Sequence, residues 1–209
     1  MLDNIEVICQ SAIKFSLDKN IYFDPFKIKD RLNDADYIFI THDHYDHYDV
    51  DSINNIRKDS TKIIIPSSLL DSCLNIFSKE NILVVEPLKD YVIDDIKFST
   101  VPAYNINKNF HPRSNNWVGY VINLNNYTYY IMGDTDAVEE AKNVSCDVLF
   151  IPIGGTYTMN YEEASKLTNI INPKIAVPIH YGTIVGSKSD GTNFINLINT
   201  EGKELMKWN

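Results

Sequence analysis

A dense cluster of histidines and aspartates follows an apolar segment early in the chain. The segment Asp36–Ile40 has the apolar character of a buried strand and leads into His42-Asp43-His44-Tyr45-Asp46-His47. Imidazole nitrogen and carboxylate oxygen are the donors that suit zinc and similar divalent ions. Side chains two apart in an extended segment point the same way, so His42 and His44 can share one ion. Once the chain turns, Asp46 and His47 can face a second ion. The motif predicts a strand that ends at a two-metal site.

A run of histidines can also be an adventitious metal binder or a solvated turn. Three imidazoles and two carboxylates within six residues, directly after a buried strand, favour the metal site instead. The chain has five histidines, so only His111 and His180 lie outside the motif. Taken alone, each resembles an ordinary surface or capping histidine. Both occupy loop or strand-end positions, where site residues are commonly mounted, and together with the motif they favour metal ligands.

Asp134 is the remaining candidate ligand. It follows a strand pattern, and the preceding Gly133 allows the backbone an unusual turn. The alternative is an N-cap for a helix starting near Ala137. Asp136 fits that capping role better, which leaves Asp134 for metal.

Composition limits the class of protein. The chain has 209 residues, 44% of them hydrophobic, and a formal net charge of -9. This length suits one domain over residues 1–209, and the apolar content excludes disorder. The acidic balance disfavours long nucleic acids and leaves a small-molecule substrate. Three scattered cysteines, the absence of a membrane-span pattern and an N-terminus without a leader pattern predict a soluble cytoplasmic protein. Nothing in the sequence indicates the oligomeric state.

The apolar periodicities predict two β-rich halves, each followed by helices. The predicted strands are Ile5–Cys9, Ala12–Ser16, Ile21–Phe23, Asp36–Ile40, Lys62–Ile65, Ile82–Val85, Tyr91–Ile93, Ile96–Val101, Val118–Asn123, Thr128–Met132, Val148–Pro152 and Lys174–Pro178. The predicted helices are Asp49–Lys58, Leu70–Phe77, Tyr161–Ile171 and Phe194–Ile198. Asn125-Asn126 predicts a hairpin turn. The expected class is α/β (α+β), two mixed β-sheets packed face to face and flanked by helices.

The chain closely resembles the metallo-β-lactamase superfamily. The resemblance rests on the HxHxDH signature at residues 42–47, followed in order by a histidine, Gly133-Asp134-Thr135 and a final histidine. Within the superfamily it is similar to the ascorbate-phosphate lactonase and N-acyl-phosphatidylethanolamine phospholipase D groups, on Ile21–Pro25 and Pro178–Gly182. The resemblance implies a four-layer αββα sandwich.

The resemblance also implies a ligand set for two ions. The first ion would take His42, His44 and His111, the second would take Asp46, His47 and His180, and Asp134 would bridge them. Asp24 would accept a hydrogen bond from a ligand imidazole. The chain departs from the pattern after Pro102-Ala103, because Tyr104 comes next and the histidine only at position 111.

The expected activity is hydrolysis of a small ester, lactone, amide or phosphodiester by a hydroxide activated between two divalent ions. Zinc is the first expectation, with manganese or iron as alternatives. Asp46 is the candidate for orienting the nucleophile, and Tyr181 or Tyr104 could donate to the developing oxyanion. Loop cations that could hold a phosphate, or simply be solvated, are Lys108, Arg113 and Lys188.

Two other functions compete with hydrolysis. One is a non-catalytic metal-binding or scaffold protein of the same fold. The other is a di-iron redox protein, which the histidine at position 44 disfavours, because related di-iron proteins carry glutamate there.

Overall fold

The computed structural model describes residues 1–208, which form two compact units. The N-terminal unit comprises Leu2–Val85 and the segment that begins at Met206. The C-terminal unit comprises Met1 and Glu86–Leu205. The single domain expected over residues 1–209 stays a prediction.

The N-terminal unit contains a six-stranded sheet in the order β1-β2-β3-β4-β5-β6. Its strands are β1 (Ile5–Cys9), β2 (Ala12–Ser16), β3 (Asn20–Phe23), β4 (Tyr37–Phe39), β5 (Lys62–Pro66) and β6 (Ile82–Val85). Its helices are α1 (Val50–Ile56) and α2 (Leu70–Cys73). Strands β1 to β3 pair antiparallel, and β3 to β6 pair parallel. Two antiparallel pairings separate β1 from β3, so β1, β3 and β4 all end at one edge of the sheet.

The core of this unit joins helix α1 and helix α2 to one face of the sheet. Ile53 and Ile56 of α1 are three residues apart and therefore share a helix face, and both are fully buried. They belong to one hydrophobic cluster with Ile38, Ile63 and Cys73. This packing holds β4 in place, and β4 leads into the histidine motif.

The C-terminal unit contains a seven-stranded sheet in the order β13-β12-β11-β10-β9-β8-β7. Its strands are β7 (Asp90–Ile93), β8 (Ile96–Pro102), β9 (Val118–Leu124), β10 (Tyr127–Ile131), β11 (Val148–Pro152), β12 (Ile175–Ile179) and β13 (Glu201–Gly202). Its helices are α3 (Glu139–Lys142), α4 (Tyr161–Ile171) and α5 (Ser189–Ile195). Strands β7 to β10 pair antiparallel, and β10 to β13 pair parallel. Consequently β8, β10, β11 and β12 end at the same edge of this sheet.

The predicted α/β class, with two mixed sheets flanked by helices, is confirmed. The hairpin is also confirmed, because Asn125 (φ 49°) and Asn126 (φ 65°) both take the left-handed backbone of a two-residue turn between β9 and β10. Two helix predictions were wrong in extent. The helix expected to reach Phe77 ends at Cys73, and the one expected at Phe194–Ile198 begins earlier, at Ser189.

Within residues 1–208, no helix combines the length and the apolar character that crossing a membrane requires.

Candidate metal centre

The histidine motif forms a tight loop at the carboxyl end of β4. The backbone N–H groups of His47 and Tyr48 both donate to the carbonyl oxygen of His44, at 3.0 and 2.8 Å. This turn folds the motif back on itself, so that the His42 ring lies with its centroid 4.6 Å from that of His44 and 3.9 Å from that of His47. His42, Asp46 and His47 are buried, and His44 is half-buried. The loop therefore collects four of the predicted ligands.

Asp24 lies behind this loop, at the end of the neighbouring strand β3. Its carboxylate accepts hydrogen bonds from the Thr41 backbone N–H at 2.8 Å, the Thr41 hydroxyl at 2.7 Å and His47 Nδ1 at 2.8 Å. Asp24 is fully buried and has a left-handed backbone (φ 43°), which aspartate tolerates better than most residues. The predicted hydrogen bond between Asp24 and an imidazole of the motif is confirmed, and the role of that imidazole as a metal ligand stays a prediction.

These contacts determine the tautomers of two imidazoles. A carboxylate only accepts hydrogen bonds, so His47 carries its proton on Nδ1. The Thr41 hydroxyl gives its hydrogen to Asp24, so His42 Nδ1, 3.0 Å from that hydroxyl oxygen, must donate to it. In the neutral form, both imidazoles therefore present the lone pair of Nε2. The lone pair that a metal would need is then on Nε2, and Nδ1 of the same ring is anchored by its hydrogen bond.

The three remaining candidates meet at the edge of the C-terminal sheet. Asp134 follows β10, and its Oδ2 atom lies 3.3 Å from His111 Nε2 and 3.0 Å from His180 Nε2. All three side chains are buried. Gly133 has φ 66°, so the predicted unusual turn before Asp134 is confirmed.

Asn105 explains how His111 reaches this edge despite the additional residues after Ala103. The Asn105 backbone N–H donates to the His111 carbonyl oxygen at 2.8 Å, and this hydrogen bond closes residues 105–111 into a loop. Asn105 Oδ1 accepts from the His111 backbone N–H at 3.0 Å and lies 3.1 Å from His111 Nδ1. An oxygen that accepts from a backbone N–H is also an acceptor for the ring, so the neutral His111 tautomer has its proton on Nδ1 and its lone pair on Nε2.

His180 is held in an uncommon backbone conformation directly after β12. Its φ of 57° costs an L-residue about 1–2 kcal/mol. Gly154, after the neighbouring strand β11, leaves room for it, because a Cβ on Gly154 would collide with the His180 carbonyl oxygen. Such strain persists where the surrounding structure imposes it, and it is frequent at functional sites.

The arrangement fits divalent metal ions. In each unit an imidazole anchored through Nδ1 directs its Nε2 toward a carboxylate oxygen: His111 toward Asp134, and His47 toward Asp46 Oδ2 at 3.7 Å. When the imidazole is neutral, its Nε2 lone pair and the carboxylate oxygen repel each other, and either a proton or a metal ion between them removes that repulsion. The predicted ligands of the N-terminal unit are His42, His44, Asp46 and His47, and those of the C-terminal unit are His111, Asp134 and His180. The donors are imidazole nitrogens and carboxylate oxygens, with no thiolate.

The two tyrosines considered as oxyanion donors have other partners. The Tyr181 hydroxyl lies 3.1 Å from Glu204 Oε2 and packs against Gly191 of α5. Burial, and then the Glu204 carboxylate, raise the pKa of Tyr181 well above its usual value. Tyr104 donates to Glu140 Oε2 at 3.1 Å, and burial and this contact raise its pKa. Either hydroxyl would have to leave its carboxylate to serve a substrate.

Asp136 does not cap helix α3, so that prediction was wrong. Its carboxylate accepts from the Ile106 backbone N–H at 2.9 Å and pairs with Lys108 Nζ at 2.6 Å. The N-cap position belongs to Val138, which makes no side-chain cap. A buried position beside the loop after β8 outweighs the local capping preference, because Lys108 neutralises the carboxylate there.

Three residues of the site escaped sequence reasoning. Asn105 and Gln10 bind His111 and Asp46 respectively, and Gly154 accommodates His180. Only Gly154 has a local signal, a Gly-Gly pair shortly after a strand. Gln10 lies in a turn and Asn105 in an irregular loop, and their roles depend on which strands become neighbours.

A family model described as the beta-lactamase superfamily domain matches residues 11–180. The chain belongs to this superfamily, as predicted. A UPF0173 protein of Pyrococcus abyssi is 31% identical over 82% of this chain and 80% of its own length. A UPF0173 metal-dependent hydrolase of Staphylococcus carnosus is 28% identical over 95% of this chain and 94% of its own.

Among solved structures, a proposed metal-dependent hydrolase from Parabacteroides distasonis is 28% identical, with a TM-score of 0.78 over 96% of this chain and 92% of that one. The names of these relatives agree with the predicted class, a metal-dependent hydrolase. The narrower resemblance to the lactonase and phospholipase D groups stays a prediction.

Proposed function

We propose that this protein is a metal-dependent hydrolase that holds two divalent ions and acts on a small uncharged ester, lactone or amide. The observation that carries the proposal is the paired arrangement of anchored imidazoles. In each unit an acceptor binds Nδ1 of a histidine, and Nε2 of that histidine is directed toward a carboxylate oxygen. Membership of the superfamily, and the names of the relatives, support the same class.

The proposed ligands divide between the two ions as the superfamily resemblance implies. One ion is assigned to His42, His44 and His111, the other to Asp46, His47 and His180, and Asp134 to both. Five imidazoles and two carboxylates suit zinc, and manganese and iron are the alternatives. The ions would supply a water of lowered pKa and a Lewis acid for the oxygen that gains charge.

The protein side chains orient this chemistry. Asp24 holds His47 directly and His42 through Thr41, so both imidazoles keep Nε2 unprotonated. Asn105 does the same for His111. We assign to Asp46 the orientation of the attacking nucleophile, since its carboxylate lies beside His47 at the end of the same loop.

The charges in the loops after β8 favour an uncharged substrate over a phosphodiester. Lys108 pairs with Asp136 at 2.6 Å, and Arg113 pairs with Glu140 at 2.7 Å. Two of the three cations named as possible phosphate binders, Lys108 and Arg113, are thus matched by carboxylates of their own unit. The formal net charge of -9 also repels anions at long range.

Metal content is the first test of the proposal. Protein stripped with a chelator and reloaded with zinc is expected to bind two ions per chain by elemental analysis. The His111→Ala variant is expected to bind fewer, because the first ion loses one of three imidazoles. Binding of one ion or none by the wild type, unchanged in the variant, would overturn the dinuclear site.

Turnover is the second test, and the motif itself provides a matched pair of variants. Asp46→Asn removes the proposed orienting carboxylate, whereas Asp43→Asn removes an exposed carboxylate three residues away. On p-nitrophenyl acetate, we expect turnover to fall by about 100-fold or more for Asp46→Asn, within the range of general-base contributions, and to persist for Asp43→Asn. No turnover by the metal-loaded wild type on ester, lactone, amide or phosphodiester probes would favour the non-catalytic alternative. A preference for bis(p-nitrophenyl) phosphate would refute the uncharged substrate class.

A further inference from the structure

The turn between β1 and β2 lies at the same edge of the N-terminal sheet as the histidine motif. Strand β1 ends where β3 and β4 end, so the Cys9-Gln10-Ser11 turn comes beside Asp46 although 36 residues separate Gln10 from it. The pKa of the Cys9 thiol is raised by burial and also by the Asp46 charge, with Lys27 opposing, which agrees with this proximity.

Gln10 occupies this turn in an unusual way. It has a left-handed backbone (φ 55°), and its side chain is fully buried. Turns at sheet edges are normally occupied by exposed polar residues or by glycine, because a buried amide loses its hydration and a non-glycine residue at positive φ is strained. Both costs apply at Gln10, so its side chain must be compensated by a specific partner.

Asp46 is such a partner. Gln10 Nε2 lies 3.4 Å from Asp46 Oδ2, the same oxygen that faces His47 Nε2. A carboxylate only accepts, so the amide must present its N–H group here rather than its carbonyl oxygen. The Gln10 amide, carried by a turn at the edge of the sheet, therefore contacts the carboxylate oxygen that the second proposed ion would use.

We propose that Gln10 is a positioning residue that holds the Asp46 carboxylate in the orientation required for metal binding and turnover. This inference rests on the proposed function, since it assigns Asp46 its role as a ligand. Outer hydrogen-bond partners of metal ligands typically contribute ~10- to 100-fold to metal affinity or activity.

Gln10→Met tests the proposal, because methionine matches glutamine in length and branching but has no donor. Ser11→Ala is the matched control: Ser11 is buried in the same turn, and its hydroxyl has no hydrogen-bond partner among residues 1–208. Each metal-free protein is titrated with Co²⁺ while the visible absorption is recorded, and kcat and KM are measured on p-nitrophenyl acetate.

We expect Gln10→Met to bind Co²⁺ about 10- to 100-fold more weakly, with a changed visible spectrum. Its kcat should fall, with KM little affected, and Ser11→Ala should match the wild type. In an Asp46→Ala background the Gln10→Met change should have no further effect on the cobalt titration. A wild-type titration and spectrum for Gln10→Met, or the same loss in the Asp46→Ala background, would overturn the role of Gln10. If the wild type itself binds no Co²⁺, the proposed function fails, and this inference fails with it.

Discussion

Replacement of Asp24 by asparagine tests the physical basis of the candidate site most directly. Asparagine tolerates the left-handed backbone of this position, so the change isolates hydrogen bonding. The amide oxygen can still accept from the Thr41 N–H. The amide nitrogen, however, places a donor where Oδ2 now accepts from the Thr41 hydroxyl at 2.7 Å and from His47 Nδ1 at 2.8 Å.

The magnitude follows from these two contacts. Each hydrogen bond to a buried charged group contributes about 1.5–3 kcal/mol, and a neutral bond that re-forms recovers about 1 kcal/mol. We therefore expect Asp24→Asn to lower the free energy of unfolding by about 2–4 kcal/mol. For a chain of this length that corresponds to a decrease in Tm of about 5–15 °C. If the amide nitrogen keeps the hydrogen bond to His47 Nδ1, Nδ1 must accept. The neutral imidazole then carries its hydrogen on Nε2, the atom proposed to bind metal.

Two measurements check this prediction. Thermal unfolding of metal-free protein, followed by circular dichroism, gives the stability loss without any contribution from bound ions. Zinc affinity, measured by competition with a chromogenic chelator, is expected to fall by about 10- to 100-fold. Asp43→Asn, in the exposed part of the motif, should change neither quantity. If the free energy of unfolding of Asp24→Asn lies within about 0.5 kcal/mol of the wild-type value and zinc affinity is unchanged, the proposed anchoring is refuted.

Three further predictions concern other parts of the chain. Asn126→Gly should stabilise the protein by about 0.5 kcal/mol in urea unfolding, because glycine adopts the left-handed turn position without strain; a loss would contradict the turn. Asn160→Ala should lower the free energy of unfolding by about 1 kcal/mol, because it removes the capping box with Glu163 at the start of α4. An unchanged urea midpoint would show that the cap does not stabilise the protein. The hydrogen bond from Lys174 lowers the pKa of Asp147, so this carboxylate stabilises the fold above the unfolded pKa of about 4 and stops doing so as the pH falls through its lower folded value. Asp147→Asn should therefore have a lower Tm than the wild type at pH 7, and the difference in Tm should become smaller below pH 4. A difference in Tm that does not change with pH would refute the role of charge.

Local sequence patterns were sufficient for much of the fold and for the choice of candidate ligands. Strands such as Val148–Pro152 and helix Tyr161–Ile171 were predicted with the bounds they have, because continuous apolar runs and helical spacing are local properties. The short strand Glu201–Gly202 was missed, because two residues cannot display a period. Five histidines in a chain of this length were informative because imidazole is rarely needed for packing alone.

Only the tertiary structure decided what surrounds these ligands. Asp24, Gln10 and Asn105 act on histidines or aspartates 6 to 36 residues away, and their partners are determined by the order and direction of the strands. The same reason explains the wrong prediction at Asp136. The local sequence suggested a helix cap, but the fold places Lys108 Nζ 2.6 Å from the Asp136 carboxylate. Residue type thus indicated which side chains could bind metal. The sheet topology determined which neighbours orient them, because hydrogen-bond partners depend on proximity in space and not on proximity along the chain.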